Sequence, residues 1–277
     1  MQHSSLGPRP DAEANVAQVG ISPLFPIRTS AIEFPWSGTI ARHRLVHGFD
    51  SRNASSRSFN LIRSKLVALQ REHGWRMLGI VSATPHVGKS FVSANIAAAM
   101  SRDPRFQTYL IDLDLRRGSI REVFGIETDA GISDYFQRSD PALTLTGFIP
   151  QGEELVIVPT IAGPVPSAEL LASDPATALF RAMRDSDERN FFICDLPPVF
   201  ANDDAAIIME SLDAYVIVAE DGKTTQREVG AAAETLGHER LAGVVLNKYR
   251  GGVVSEGYGI ESRYADQYYA DPETYED

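Results

Sequence analysis

Ala83-Thr84-Pro85-His86-Val87-Gly88-Lys89-Ser90 follows an apolar run over residues 77–83 and precedes an alanine-rich run over residues 91–100. A Gly-Lys-Ser turn between a strand and a helix is the setting of a phosphate-binding loop, because backbone N–H groups and the helix N-terminus then converge on phosphate oxygens. In that reading Pro85, His86, Val87, Gly88, Lys89, Ser90 and Phe91 form a nucleotide cradle. Lys89 reaches the β- and γ-phosphates of ATP, and Ser90 ligates Mg2+. Ala83 stands where the usual pattern has glycine, so the string by itself also fits a helix start with no ligand. The flanking strand and helix, together with acidic strand ends further along, decide for nucleotide binding.

Downstream, short β-rich runs at 108–112, 155–159, 191–195, 214–219 and 241–246 alternate with helical patterns at 91–100, 175–183, 204–212 and 226–236. Several of the runs are continuously apolar, as strands covered by helices on both faces require. The fold class that follows is α/β, a mostly parallel sheet flanked by helices, the architecture of P-loop NTPases. Upstream, Phe59, Ile62, Leu66 and Leu69 recur at helical spacing and predict an amphipathic helix over 57–73 that ends near Gly74.

Two of the runs close on acids. Tyr109-Leu110-Ile111-Asp112-Leu113-Asp114-Leu115-Arg116 puts two carboxylates at the C-terminal end of a parallel strand, the edge on which α/β folds bind ligands. Phe191-Phe192-Ile193-Cys194-Asp195-Leu196-Pro197-Pro198 ends an apolar strand in Asp195, the form of a Walker B element whose carboxylate holds Mg2+, usually through water. Either stretch alone also fits an ordinary acidic turn. Three signals in this order, each closing a strand, point to one Mg-nucleotide site.

The 277 residues are 43% hydrophobic and 23% charged, a globular composition with enough apolar material for a sizeable core. No apolar run approaches the roughly 20 residues of a membrane-spanning helix, and the N-terminus lacks a signal-peptide pattern, so the expected location is cytoplasmic. A single cysteine, Cys194, rules out an internal disulfide framework. Six scattered histidines show no ligand spacing, so no metal other than Mg2+ is expected. A net charge of −11 argues against a nucleic-acid partner. Residues 1–55 mix Pro, Ser, Ala and Arg without a period and are expected to be a flexible N-terminal region, with the nucleotide domain over 56–250. The segment 251–277 holds seven acidic residues against one basic residue, Arg263, and five of the nine tyrosines: Tyr258, Tyr264, Tyr268, Tyr269 and Tyr275. With so little aliphatic material it is expected to be a mobile arm.

Together, residues 83–90, Asp112-x-Asp114-x-Arg116, Ser167-Ala168-Glu169-Leu170-Leu171, Asp195-Leu196-Pro197-Pro198 and the tyrosine-rich tail resemble the bacterial tyrosine kinases (BY-kinases) of capsule and exopolysaccharide synthesis, over roughly residues 57–277. The resemblance implies a MinD/ParA-like P-loop fold and ATP-dependent autophosphorylation of the five tail tyrosines on a neighbouring subunit of a homo-oligomer. It makes Lys89, Asp112 and Asp114 catalytic, the two acids as base or orienting carboxylates for the tyrosine hydroxyl and as holders of Mg2+ beside Ser90 and Asp195. A hydroxyl with a pKa of about 10 gains from such an acceptor as its proton is lost. Arg116 joins the cofactor set, and Asn247 takes the position that contacts adenine; a turn asparagine at a strand end is the other reading of Asn247. A separate membrane-embedded activator of the polysaccharide co-polymerase type is also implied, recruiting the chain to the inner face of the plasma membrane.

The sequence departs from the family pattern in two places. Where the family carries Glu-x-x-Arg-x-x-Arg in the helix that packs subunits into a ring, this chain has Arg57, Asn60 and Arg63, and only the last matches. Leu196 stands where threonine is common. Two rival readings use the same loop: a MinD/ParA-like switch ATPase, whose signature lysine would fall at Thr84, and a nucleotide-binding scaffold without kinase activity. Tyr109 and Tyr215 read as core residues, while Tyr135 and Tyr249 fit either core or acceptor roles.

Overall fold

The computed structural model describes residues 31–137 and 145–249. The chain opens with β1 (Ile32–Phe34), α1 (Gly38–His43) and a short 3-10 turn at Ala54–Ser56 that leads into α2 (Arg57–His73). Then come β2 (Met77–Val81), α3 (Lys89–Ser101), β3 (Gln107–Asp112), α4 (Ile120–Phe124), α5 (Ile132–Gln137), β4 (Phe148–Pro150) and β5 (Leu155–Val158). The remainder is α6 (Ser167–Leu171), α7 (Asp174–Asp185), β6 (Asn190–Asp195), α8 (Asp204–Met209), β7 (Ala214–Glu220), α9 (Gln226–Leu236) and β8 (Leu241–Asn247).

Among the described residues the strands make one sheet in the order β1-β4-β5-β3-β6-β2-β7-β8. From β5 to β8 every pairing is parallel; β4 runs antiparallel to β5, and β1 runs parallel to β4. The expected α/β class, mostly parallel and covered on both faces, is what forms. The central strand β2 shows why its sequence is continuously apolar: Met77 and Val81 enter the core on one face, Leu78 and Ile80 the core on the other, and all five residues are buried. Helix α3 is buried along nearly its whole length, and its run Ala97-Ala98-Ala99 lets the backbone lie close on the sheet. Helix α2 spans the predicted 57–73 and is closed by Gly74 at φ +73°, whose N–H returns to the Gln70 carbonyl at 2.8 Å.

The order of strands matters more to function than their number. β3, β6 and β2 lie side by side, so the loop after β2 and the acids that close β3 and β6 emerge at one sheet edge. A ligand site at such an edge is a general property of parallel sheets.

The N-terminal expectation needs correction. Residues 31–55, read as flexible, are folded onto the domain. β1 extends the sheet, with Ile32 opposite Phe148. Trp36 is 8% exposed and packs against Phe34, Phe49 and Phe124 at ring-centroid distances of 6.0, 6.0 and 5.5 Å. The side chain of Asn95 on α3 clamps the segment: its Oδ1 accepts from the N–H groups of His47 at 2.7 Å and Gly48 at 3.1 Å, and its Nδ2 donates to the Leu45 carbonyl at 3.0 Å. Gly48 is required there, since a Cβ would fall 2.3 Å from the Asn95 carbonyl oxygen. A few aromatic anchors and one amide order the segment, and neither device leaves a local period in sequence. The domain therefore begins before residue 56. Residues 1–30, the segment 138–144 and the tail 251–277 lie outside the described residues, so the expected mobile arm does too.

If the N-terminal segment is a structural part of the domain, Trp36→Ala lowers the unfolding free energy by about 3 kcal/mol, the usual cost of emptying a buried aromatic site. Urea denaturation of the full chain checks this; an unchanged midpoint would return residues 31–55 to the status of a passive extension.

Candidate functional site

The loop after β2 is held from two sides. The Val199 N–H donates to the Ser82 carbonyl at 2.8 Å, and the Phe200 N–H to the Ala83 carbonyl at 3.2 Å, tying the loop to the segment after β6. Ser82 Oγ donates to the Thr84 carbonyl at 2.8 Å. Ala83, in the usual glycine position, is fully buried and its methyl joins the core cluster under β2. Val87 is also buried. His86 and Gly88 have φ of +67° and +90°, and left-handed residues set among right-handed ones turn successive N–H groups into an anion-binding nest. At Gly88 a Cβ would lie 2.2 Å from Asn247 Nδ2, so both the backbone angle and the space demand glycine.

Helix α3 begins at Lys89, and its first turns deliver the polar groups. Lys89 is 8% exposed; its Nζ lies 2.9 Å from Asp195 Oδ1 and 4.0 Å from Asp114 Oδ2. Ser90 Oγ donates to Asp195 Oδ2 at 2.6 Å. One turn later Ser93 Oγ donates to Asp195 Oδ1 at 2.7 Å. Asp112 and Asp195 are direct register partners on β3 and β6. Asp112 accepts from the N–H of Asp114 at 3.2 Å through Oδ1 and from that of Ile120 at 3.1 Å through Oδ2. Asp114 accepts from the Arg117 N–H at 3.0 Å.

All three acids are buried, and the Lys89 ammonium faces Asp195 and Asp114. Burial, with the Asp195 charge next to it, pushes the Asp112 carboxyl well above the ordinary carboxylate range, against the pull of Lys89. Burial raises the Asp114 carboxyl as well. Surplus buried negative charge beside a serine hydroxyl is a hard oxygen donor set, suited to a divalent cation such as Mg2+. Among the described residues no three acidic or histidine side chains close into a metal cage of their own.

The other expected site residues are distributed differently. Phe91 packs its ring on Phe59 of α2 at 5.8 Å, leaving only its backbone near the loop. Arg116 turns to Ser167, with Nε to Oγ 2.7 Å, and to Asp204 at 3.7 Å, so it ties the acidic loop to α6 and α8. Pro85 and His86 are exposed on the loop's outer side. Asn247 donates from Nδ2 to the Val87 carbonyl at 2.8 Å, bracing the loop. Tyr109 stacks on Phe192 at 5.1 Å, and burial raises its hydroxyl to about 12. Tyr215 is fully buried, and Tyr135 proves a core residue also, at 7% exposed. Tyr249 is 45% exposed. Cys194 is fully buried, which pushes its thiol up and leaves it inert.

Three residues outside the expected set also touch the site. Ser93 is the second hydroxyl on Asp195, and its position one turn after Ser90 on α3 was the available signal. Arg117 places Nη1 3.3 Å from His86 Nε2. Lys248 reaches the His86 carbonyl from the far end of β8, a contact that no local pattern announces.

The model of the CobQ/CobB/MinD/ParA nucleotide-binding domain matches residues 78–263. The chain belongs to this family. Within it, the homologues of the chain are bacterial tyrosine-protein kinases of the BY-kinase type. Tyrosine-protein kinase etk of Escherichia coli (strain K12) is 31% identical over 188 residues, 67% of this chain and 25% of that protein. The chain thus spans about a quarter of the length of that relative. Tyrosine-protein kinase YwqD of Bacillus subtilis (strain 168) is 25% identical over 76% of this chain and 88% of its own length. Among solved structures, the chimerical protein CapA2B2 aligns with a TM-score of 0.66 at 23% identity, over 76% of this chain and 91% of that one, which shows the shared fold. No helix among the described residues is long and apolar enough to cross a membrane.

The raised Asp112 carboxyl gives a stability prediction with a definite sign. A group that binds its proton more tightly when folded costs stability once pH exceeds its unfolded value, and the cost vanishes under acid conditions. Asp112→Asn gives up one accepted backbone N–H bond but removes this charge, so its melting temperature relative to the parent rises by about 3 °C between pH 4 and pH 8 in EDTA, the scale of ~1 kcal/mol. The gain shrinks toward pH 4. Scanning calorimetry across that range checks it, and a difference from the parent that does not change with pH would refute the charge surplus.

Proposed function

We propose that this chain is an ATP-dependent protein-tyrosine autokinase that phosphorylates tail tyrosines of a neighbouring copy and thereby regulates exopolysaccharide or capsule assembly. The observation that carries the reading is the gathering of Asp114 and Asp195, from the ends of two adjacent strands, around the Lys89 ammonium, with Asp112 beside them. Phosphoryl transfer asks mainly for charge neutralisation and in-line placement, and this is an arrangement for both. Lys89 and the nest amides are placed to take phosphate oxygens, and Ser90 and Asp195, with Asp112 or Asp114 beside them, would hold Mg2+, which would supply charge neutralisation for phosphoryl transfer.

Asp112 supplies the acceptor. A carboxylate beside the phosphate end of the site is an acceptor for the proton that a tyrosine hydroxyl loses as it attacks. The hydroxyls come from the tail. Tyr258 follows Tyr249 by nine residues, roughly 30 Å of extended chain, and Tyr275 by far more, which is reach enough for an adjacent subunit. Each phosphate adds about −1.5 to −2 to a segment already acidic, which favours its release from a carboxylate-lined site. The kinase names of the matched relatives support the reaction, while the polysaccharide setting and a separate membrane-embedded activator as partner rest on the motif resemblance.

Incubating the full chain with Mg-ATP and mapping phosphate by mass spectrometry tests this. Phosphate accumulates on residues among Tyr258, Tyr264, Tyr268, Tyr269 and Tyr275, and Lys89→Met and Asp112→Asn each slow transfer by about a hundredfold or more. Phosphate on Ser or Thr alone rejects the reading. ATP hydrolysis with an unmodified tail makes the chain a switch ATPase, and nucleotide binding without turnover makes it a scaffold.

A further inference from the structure

The end of β8 reaches back over the phosphate-binding loop through two consecutive residues. Asn247 Nδ2 donates to the Val87 carbonyl at 2.8 Å, and Lys248 Nζ donates to the His86 carbonyl at 2.7 Å. These carbonyls belong to two successive peptide units. The chain has no cis peptide bond among the described residues, and in a planar trans peptide the N–H points opposite to the carbonyl. Drawing both carbonyls toward β8 therefore turns the N–H groups of Val87 and Gly88 the other way, into the nest.

The hold has work to do at His86. This residue sits at φ +67°, which a side chain with a Cβ adopts only where its surroundings keep it there. Lys248 is itself left-handed, at φ +56°. It is fixed from behind by Glu220 at the end of β7, whose Oε2 lies 2.9 Å from Lys248 Nζ. Glu220 is 5% exposed; its other oxygen meets Lys223 Nζ at 2.6 Å, and its backbone N–H donates to Thr224 Oγ1 at 2.9 Å. Lys223 and Lys248 together hold the Glu220 carboxyl below the usual carboxylate range, so it stays charged at neutral pH. The Asp221 N–H closes the assembly on the Asn247 carbonyl at 3.0 Å.

We propose that Lys248 is a positioning residue for nucleotide phosphate: anchored by Glu220, it holds the His86–Val87 peptide with its N–H turned into the nest. The proposal rests on the nucleotide reading above. It places the hold on the loop at the root of the acidic tail, which begins within three residues of Lys248.

Isothermal titration of the full chain with Mg-ADP and, separately, with Mg-pyrophosphate tests it. Lys248→Met weakens both by about tenfold, the scale of losing one charge-assisted hydrogen bond, because the loss lies at the phosphate end. In the tyrosine assay the same variant raises KM for ATP and leaves kcat within about twofold. Lys248→Arg keeps a cationic donor and stays within about threefold of the parent, and Glu220→Gln shows an intermediate loss. The melting temperature of Lys248→Met stays within about 2 °C of the parent. Adding His86→Gly to Lys248→Met restores part of the affinity, since glycine takes the left-handed angle without being held.

Parental affinity in Lys248→Met overturns the proposal while leaving the nucleotide site intact. So does a loss confined to Mg-ADP, which would put Lys248 at the base. A loss that tracks a fall in melting temperature and that His86→Gly fails to relieve also overturns it. A parent chain that binds neither probe removes the nucleotide reading and this proposal together.

Discussion

The ammonium of Lys89, 8% exposed, sits among carboxylates that are as buried as it is, and much of the architecture serves to keep it there. Three acids about one buried ammonium make an unfavourable balance in a low-dielectric interior, eased at Asp114 by Arg117, and burial holds the Asp112 and Asp114 carboxyls above the ordinary range. A folded domain tolerates such a cluster when it is rigidly placed and completed by something from outside. The placement comes from β3 and β6 as direct neighbours, which set Asp112 opposite Asp195, and from α3, which presents Lys89, Ser90 and Ser93 to the Asp195 carboxylate from one helix face. A magnesium nucleotide is a completion of fitting charge and donor preference.

The loop between β2 and α3 shows a different solution to a similar demand. Its backbone must offer N–H groups outward, so its carbonyls need partners elsewhere, and they find them on opposite flanks. The segment after β6 supplies the N–H groups of Val199 and Phe200, and the end of β8 supplies Asn247 and Lys248. The braces come from chain segments more than a hundred residues away, and their joint effect is a preorganised nest that spends little ordering entropy when a phosphate arrives. The N-terminal segment acts on the opposite side of the same helix. By gripping Asn95 through the backbone of His47 and Gly48, and by sinking Trp36 among aromatic rings, it fixes α3 from outside as the sheet fixes it from inside.

Much of this was legible in the residues themselves. The Gly-Lys-Ser turn, the acids closing two apolar runs and the alternation of strand and helix patterns lead directly to a parallel α/β sheet with a phosphate loop, and α2 ends at Gly74 as its pattern predicts. The short elements β1, α1, α4, α5, β4 and α6 were not legible, because three to six residues carry too little periodicity to stand out from a loop. Trp36 belongs to no periodic pattern, and its partners Phe49 and Phe124 are brought to it only by the folded chain.

What the sequence determined alone is the chemistry on offer: a glycine-bearing phosphate loop, one lysine, one hydroxyl, three acids at or just after strand ends and a tail of tyrosines. Only the tertiary structure decided how these are shared out. It sent Arg116 to Ser167 and Asp204 while bringing Ser93 in, and it made Asn247 and Lys248 braces of the loop. The reason is that residue type and spacing encode whether a side chain is buried and in which local conformation. Which buried groups meet depends on strand order, and strand order is settled by long-range packing that no short window of residues contains.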